Sequence, residues 1–103
     1  MNAVAVEPSS LTSRALRATP NPSRAAQALE FTLPTASPVR VTIHDGAGRL
    51  VRAFEPGVLA AGPHRLAWNG LGESGARLAP GVFFVTLETG TERRHAKVLR
   101  LGQ

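Results

Sequence analysis

The sequence predicts an all-β fold, a two-sheet antiparallel sandwich of about seven strands. Three observations carry this expectation. Short runs with an apolar side chain at every second position recur along the chain, the period of a strand with one buried face. Clusters of Gly, Pro, Asn and Asp separate these runs at close spacing, each cluster supplying turn geometry. No stretch carries the apolar stripe of an amphipathic helix: residues 10–18 and 23–30 hold helix formers, but Pro20 and Pro22 fence them.

Each element follows from its own pattern. Residues 1–13 lack sustained periodicity and are expected to form a linker or extended N-terminal arm, within which Ala3-Val4-Ala5-Val6 has the composition of an edge strand. The sandwich is assigned to residues 14–103. Arg14-Ala15-Leu16-Arg17-Ala18 is a short strand, and Thr19-Pro20-Asn21-Pro22-Ser23 reverses the chain because two prolines impose extended and turn geometry. In Ala28–Leu33 the residues Leu29, Phe31 and Leu33 point one way, and Pro34 ends the strand. Val39, Val41 and Ile43 repeat the device against Arg40, Thr42 and His44. Asp45-Gly46-Ala47-Gly48 then joins this run to Arg49–Phe54 as a hairpin.

Pro56-Gly57 and Ala61-Gly62-Pro63 read as turns leading to His64–Trp68, where Leu66 and Trp68 share a face. Residues 69–81 are too rich in Gly and Pro for a helix and form a connection between sheets. Val82–Glu88 turns Phe83, Val85 and Leu87 inward and Phe84 outward, and Glu92–Leu101 is the last strand. The expected core anchors are Phe31, Ile43, Leu66, Trp68, Phe83 and Val85, with Trp68 foremost.

Composition narrows the function. A chain of 103 residues fits one domain with a core of its own. The absence of cysteine removes disulfides, cysteine-ligated zinc and thiol catalysis together. No run approaches the roughly 20 apolar residues of a membrane span, so membrane insertion is not expected. The start Met1-Asn2-Ala3-Val4-Ala5-Val6-Glu7 lacks the basic and apolar regions of an export signal, so a fragment or a mature unit is expected. The net charge of +5 rests on eleven arginines and Lys97. Such a balance admits anionic partners and equally describes solvated strand faces.

The stretches Pro20-Asn21-Pro22, Phe31-Thr32-Leu33-Pro34, Val41-Thr42-Ile43-His44-Asp45 with Gly48-Arg49-Leu50-Val51-Arg52, Gly62-Pro63-His64, Trp68-Asn69-Gly70, Ser74-Gly75 with Pro80-Gly81-Val82-Phe83-Phe84, and Lys97-Val98-Leu99 form an ordered set. In that order they resemble the immunoglobulin-like domain at the C-termini of many exported bacterial proteins. That domain is also present in flagellar hook-capping protein and is similar to the C-terminal sorting domain of type IX secretion cargo. The resemblance runs from Leu16 to Arg100, about four fifths of the chain. It departs from the family pattern at Leu71-Gly72, where an acidic pair is usual. The resemblance implies an immunoglobulin-like sandwich, secreted or at the bacterial cell surface, that caps a preceding domain of its parent protein. In some relatives it is a signal read by the outer-membrane secretion machinery, and there the signal lies in the last strands, here Phe83 to Leu101.

Candidate sites are few. His44 and Asp45 are neighbours in a strand, so their side chains diverge and cannot form a catalytic pair. His64 and His95 stand apart in sequence and do not make a zinc-ligand set. In Asn69-Gly70-Leu71-Gly72-Glu73-Ser74-Gly75 the glycines read as turn residues, with Asn69 and Glu73 as weak calcium candidates only. Arg93, Arg94, His95, Lys97 and Arg100 form the densest basic cluster, which alternation divides between two faces; with Phe84 they are the candidate interaction residues. No aromatic residue is interleaved with the cluster, so nucleic acid is not an expected partner. No catalytic residue, metal or cofactor is assigned. The reading is a non-catalytic structural or interaction module. Its rivals are a self-assembling subunit that adds its N-terminal arm as a strand to a neighbour, and a carbohydrate-binding module.

Overall fold

The computed structural model describes residues 16–102. The expected arm over 1–13, its Ala3–Val6 run and Arg14 lie outside the described residues. Among these residues seven strands follow one another: β1 (Arg17–Thr19), β2 (Gln27–Leu33), β3 (Ser37–Asp45), β4 (Leu50–Leu59), β5 (Gly62–Trp68), β6 (Gly81–Glu88) and β7 (Arg93–Arg100). A single 3₁₀ turn, Glu73–Gly75, interrupts the β5–β6 connection. All strand pairs are antiparallel, in a three-stranded sheet ordered β1-β2-β5 and a four-stranded sheet ordered β4-β3-β6-β7. The chain therefore changes layer at β2–β3, β4–β5 and β5–β6, and strands distant in sequence lie side by side, as in an immunoglobulin-like sandwich.

The alternating apolar positions meet between the layers. Leu29, Phe31 and Leu33 of β2 face Val39, Val41 and Ile43 of β3 and Phe83, Val85 and Leu87 of β6, all buried in one cluster. Trp68 is fully buried at the end of β5 and meets Phe83 edge-on, with ring centroids 5.7 Å apart. Its indole Nε1–H donates to the Leu71 carbonyl at 2.9 Å, so the polar end of the ring is satisfied inside the core. Leu66 is only half-buried. It lies on the inward face opposite Leu29, but β5 is an edge strand and, among the described residues, no neighbour closes over its far side.

The β3–β4 hairpin is tied by one carboxylate. Asp45 Oδ1 accepts from the backbone N–H groups of Ala47 (3.0 Å) and Arg49 (2.9 Å), while Arg49 Nε donates to Oδ2 at 3.0 Å. These bonds explain why the Asp45 carboxyl is held below its ordinary value of 3.8, the Arg49 backbone N–H contributing most.

β4 is longer than the sequence pattern indicates. The Pro56-Gly57 pair, expected as a turn, lies inside the strand. Val39 pairs with Gly57 and Val41 with Phe54, so Glu55 and Pro56 together oppose Arg40 in a bulge. Because β4 is an edge strand, a proline there sacrifices no ladder bond to a further neighbour.

Candidate interaction surface

Among the described residues β7 is one edge of the four-stranded sheet, β4 being the other, and its side chains alternate between the two faces. Arg93, His95 and Lys97 are exposed on the outer face, whereas Arg94 and Arg100 fall on the inner face with Ala96 and the fully buried Val98. The five basic residues therefore do not form one site.

The two inward arginines join the layers. Arg94 pairs with Glu92, and its Nη1 donates to the Thr32 carbonyl of β2 at 2.9 Å. The Arg100 guanidinium lies over the Trp68 ring, 5.3 Å from its centroid, and donates to the Ala25 carbonyl and to Gln27 Oε1, the latter at 3.1 Å. Gln27 is buried, and its Nε2 passes the chain of bonds to the Pro20 carbonyl at 2.7 Å. Arg100 thus stacks on an aromatic ring that comes from another strand. Local spacing gives no sign of that contact.

Gly70 explains the Trp68-Asn69-Gly70 sequence. Its φ is +83°, and a β-carbon there would overlap the Arg100 guanidinium. Asn69 Oδ1 accepts from the Leu71 N–H at 3.0 Å, and Glu73 Oε2 accepts from the Ala53 N–H of the β4 edge at 2.9 Å. Both weak calcium candidates are thus engaged in holding the loop. Among the described residues no group of three or more His, Asp or Glu side chains gathers as metal ligands do. His64 stacks on Phe31 and donates from Nε2 to the Ala60 carbonyl at 2.7 Å; His95 Nδ1 lies 3.2 Å from Thr86 Oγ1. The carboxylate of Asp45 serves its turn and not His44.

Phe84 is 44% exposed on the outer face of β6. Cross-strand pairing sets it between His44 and Lys97; Val82 pairs with Leu99 in the next row, and Leu50 lies beyond His44. All of Leu50, Val82, Phe84 and Leu99 are exposed, so one end of this face is largely apolar, with His44 set between Leu50 and Phe84 and Lys97 beside Phe84. Sequence reasoning found Phe84 alone, because its companions stand on three strands and meet it only through register.

The outer edge of β7 is covered over half its length. Asn21 Nδ2 donates to the Lys97 carbonyl and Asn21 Oδ1 accepts from the Leu99 N–H, while Ser23 exchanges backbone bonds with Leu99 and Leu101. Outward N–H groups of His95 and Lys97 have no partner among the described residues.

A sequence profile for the FlgD Ig-like domain matches residues 18–93. The chain belongs to that family. The match spans β1 to the start of β7, so the sandwich described above is a FlgD Ig-like domain. Among solved structures, FlgD from P. aeruginosa shares 23% identity at a TM-score of 0.63, over 84% of this chain and 73% of that one. PorZ from Porphyromonas gingivalis, described as an essential surface component of the type IX secretion system, shares 19% at a TM-score of 0.64. PorU from the same organism shares 18% at a TM-score of 0.65. These two matches cover 93% and 86% of this chain but only 13% and 9% of the larger proteins. At such identities the likeness concerns the fold. Comparison with curated proteins finds no match.

Proposed function

We propose that this FlgD Ig-like domain is a non-catalytic tail module of an exported bacterial protein, docking on the parent's preceding domain and serving as a sorting signal for the type IX secretion machinery. The observation that carries the reading is the recurrence of this sandwich as a small part of two much larger P. gingivalis proteins, one of them a named component of that secretion system. A domain that repeats across proteins of different size fits a portable unit better than an active site. Two features of the surface support the reading. The outer apolar patch around Phe84 suits the preceding domain, and the exposed Arg93, His95 and Lys97 row suits an acidic receptor. Trp68 is fully buried, which leaves no indole platform for a sugar and disfavours carbohydrate binding.

The test is to fuse the whole chain to a reporter in a host possessing type IX secretion. Surface display of the fusion, lost when the secretion system is deleted, is the expected result. Retention inside the cell would leave the structural role and remove the sorting role.

A further inference from the structure

Ion pairing divides the cations of this molecule into two groups. All six carboxylates among the described residues are engaged: Arg17 and Arg65 on Glu30, Arg40 on Glu55, Arg49 on Asp45, Arg52 on Glu73, Arg93 on Glu88 and Arg94 on Glu92. Four cations have no carboxylate partner among the described residues, namely Arg24, Arg77, Lys97 and Arg100. Three of these four, Arg24, Arg77 and Arg100, line one cleft of about 560 Å³ where the end of β7 meets the β5–β6 connection. Among the described residues no Asp or Glu lines it.

Two of the guanidinium groups are fixed in advance. Arg24 Nε donates to the Gly102 carbonyl at 3.1 Å, and Arg100 is held by Gln27, Ala25 and the Trp68 ring. Preset donors lose less freedom on binding than mobile ones. Burial lowers the pKa of Arg100, the direction expected of a cation drawn partly from water with no counter-charge beside it. An anion in the cleft would supply that charge.

The remaining lining says which anion. Leu78, Pro80, Phe83 and Leu101 form an apolar wall, and the backbone of residues 77–80 makes no hydrogen bond with any described residue. A free inorganic anion would use neither feature. A peptide would use both, pairing its main chain with residues 77–80, resting an aliphatic side chain on Leu78 or Leu101, and presenting carboxylates to the arginine forks. The one aromatic residue in the lining, Phe83, is buried, so there is no platform for a base or a sugar ring.

We propose that this cleft binds an acidic peptide segment of a partner protein, with its carboxylates on Arg24, Arg77 and Arg100 and its aliphatic side chains on the Leu78–Leu101 wall. The assignment gives the interaction module above a partner chemistry and rests on that reading. Its test is independent of export, because a chain that fails to reach the cell surface still binds the peptide in solution.

The full chain is titrated at low salt with an acetylated, amidated peptide of alternating Leu and Glu, followed by calorimetry and by the emission of Trp68 beneath Arg100. Saturable binding is expected for this peptide and none for its Leu-Gln counterpart. Arg24→Gln and Arg77→Gln, both at exposed side chains, should each weaken binding about tenfold. Arg65→Gln, whose residue lies outside the cleft, should leave binding unchanged. Unaltered affinity in both cleft variants, or no saturable binding, overturns the site. Inorganic phosphate or polygalacturonate competing as strongly as the peptide overturns the peptide assignment.

Discussion

Replacing Gly70 by alanine probes the contact that seals the end of the sandwich. At φ +83° a β-carbon sits in the left-handed region, at a cost of about 1–2 kcal/mol. The new methyl would also lie 2.5 Å from Arg100 Cζ, so the guanidinium must swing out. In leaving, it abandons Gln27 Oε1, the Ala25 carbonyl and the Trp68 ring. Hydrogen bonds to a charged group contribute about 1.5–3 kcal/mol, and a cation–π contact about 0.5–2 kcal/mol. Because the displaced arginine regains water, the lower ends of these ranges apply to both hydrogen bonds and to the ring contact, and with the backbone strain the substitution should cost about 4.5–5.5 kcal/mol in all. Urea unfolding followed by Trp68 emission measures this directly. An Arg100→Ala background separates the two causes: with no guanidinium to displace, Gly70→Ala should cost only the backbone strain of about 1–2 kcal/mol. Equal costs in the two backgrounds would refute the collision, and a cost below about 1 kcal/mol in the parent chain would refute the conformational argument as well.

The basic cluster of β7 should divide in the same assay. Arg94→Ala, which removes the donor to the Thr32 carbonyl, is expected to cost about 1.5–3 kcal/mol, whereas Arg93→Ala, at an exposed ion pair, should stay within about 0.5 kcal/mol. Matching unfolding midpoints for the pair would mean that Arg94 does not join the sheets. Asp45 gives a dependence on pH. Its carboxyl is held below 3.8 in the fold, so the unfolded chain takes up this proton first; the contribution is complete above the ordinary carboxylate value and fades as pH falls through and below it. Asp45→Asn should therefore lose less stability than the parent between about pH 5 and pH 2.5, and parallel acid-unfolding curves would count against the turn's role.

Alternation made β2, β3 and β6 legible, because each turns one face to the core, and the side-chain period survives any shift in boundary even though Ala28 and Thr42 are buried on the other face. The length of β4 was not legible. A Pro-Gly pair ordinarily marks a turn, and only the bulge opposite Arg40 on an edge strand lets the chain continue. Leu66 sits on the inward face that its period assigns, yet burial depends on which strands flank β5, and sheet order is not written in a local pattern. The same limit applies to the candidate surface. Alternation separated Arg94 and Arg100 from Arg93, His95 and Lys97, but the grouping of Arg24 and Arg77 with Arg100 depends on three segments meeting at one end of the fold.

The clamp of Asn21 and Ser23 along the last strand has a consequence for how such modules behave when crowded. A neighbour trying to add a strand along β7 finds, among the described residues, main-chain valences only around His95 and Lys97, too short a run to zip a second sandwich onto this edge. Contacts along this edge are then left to side chains, which selection can retune one at a time.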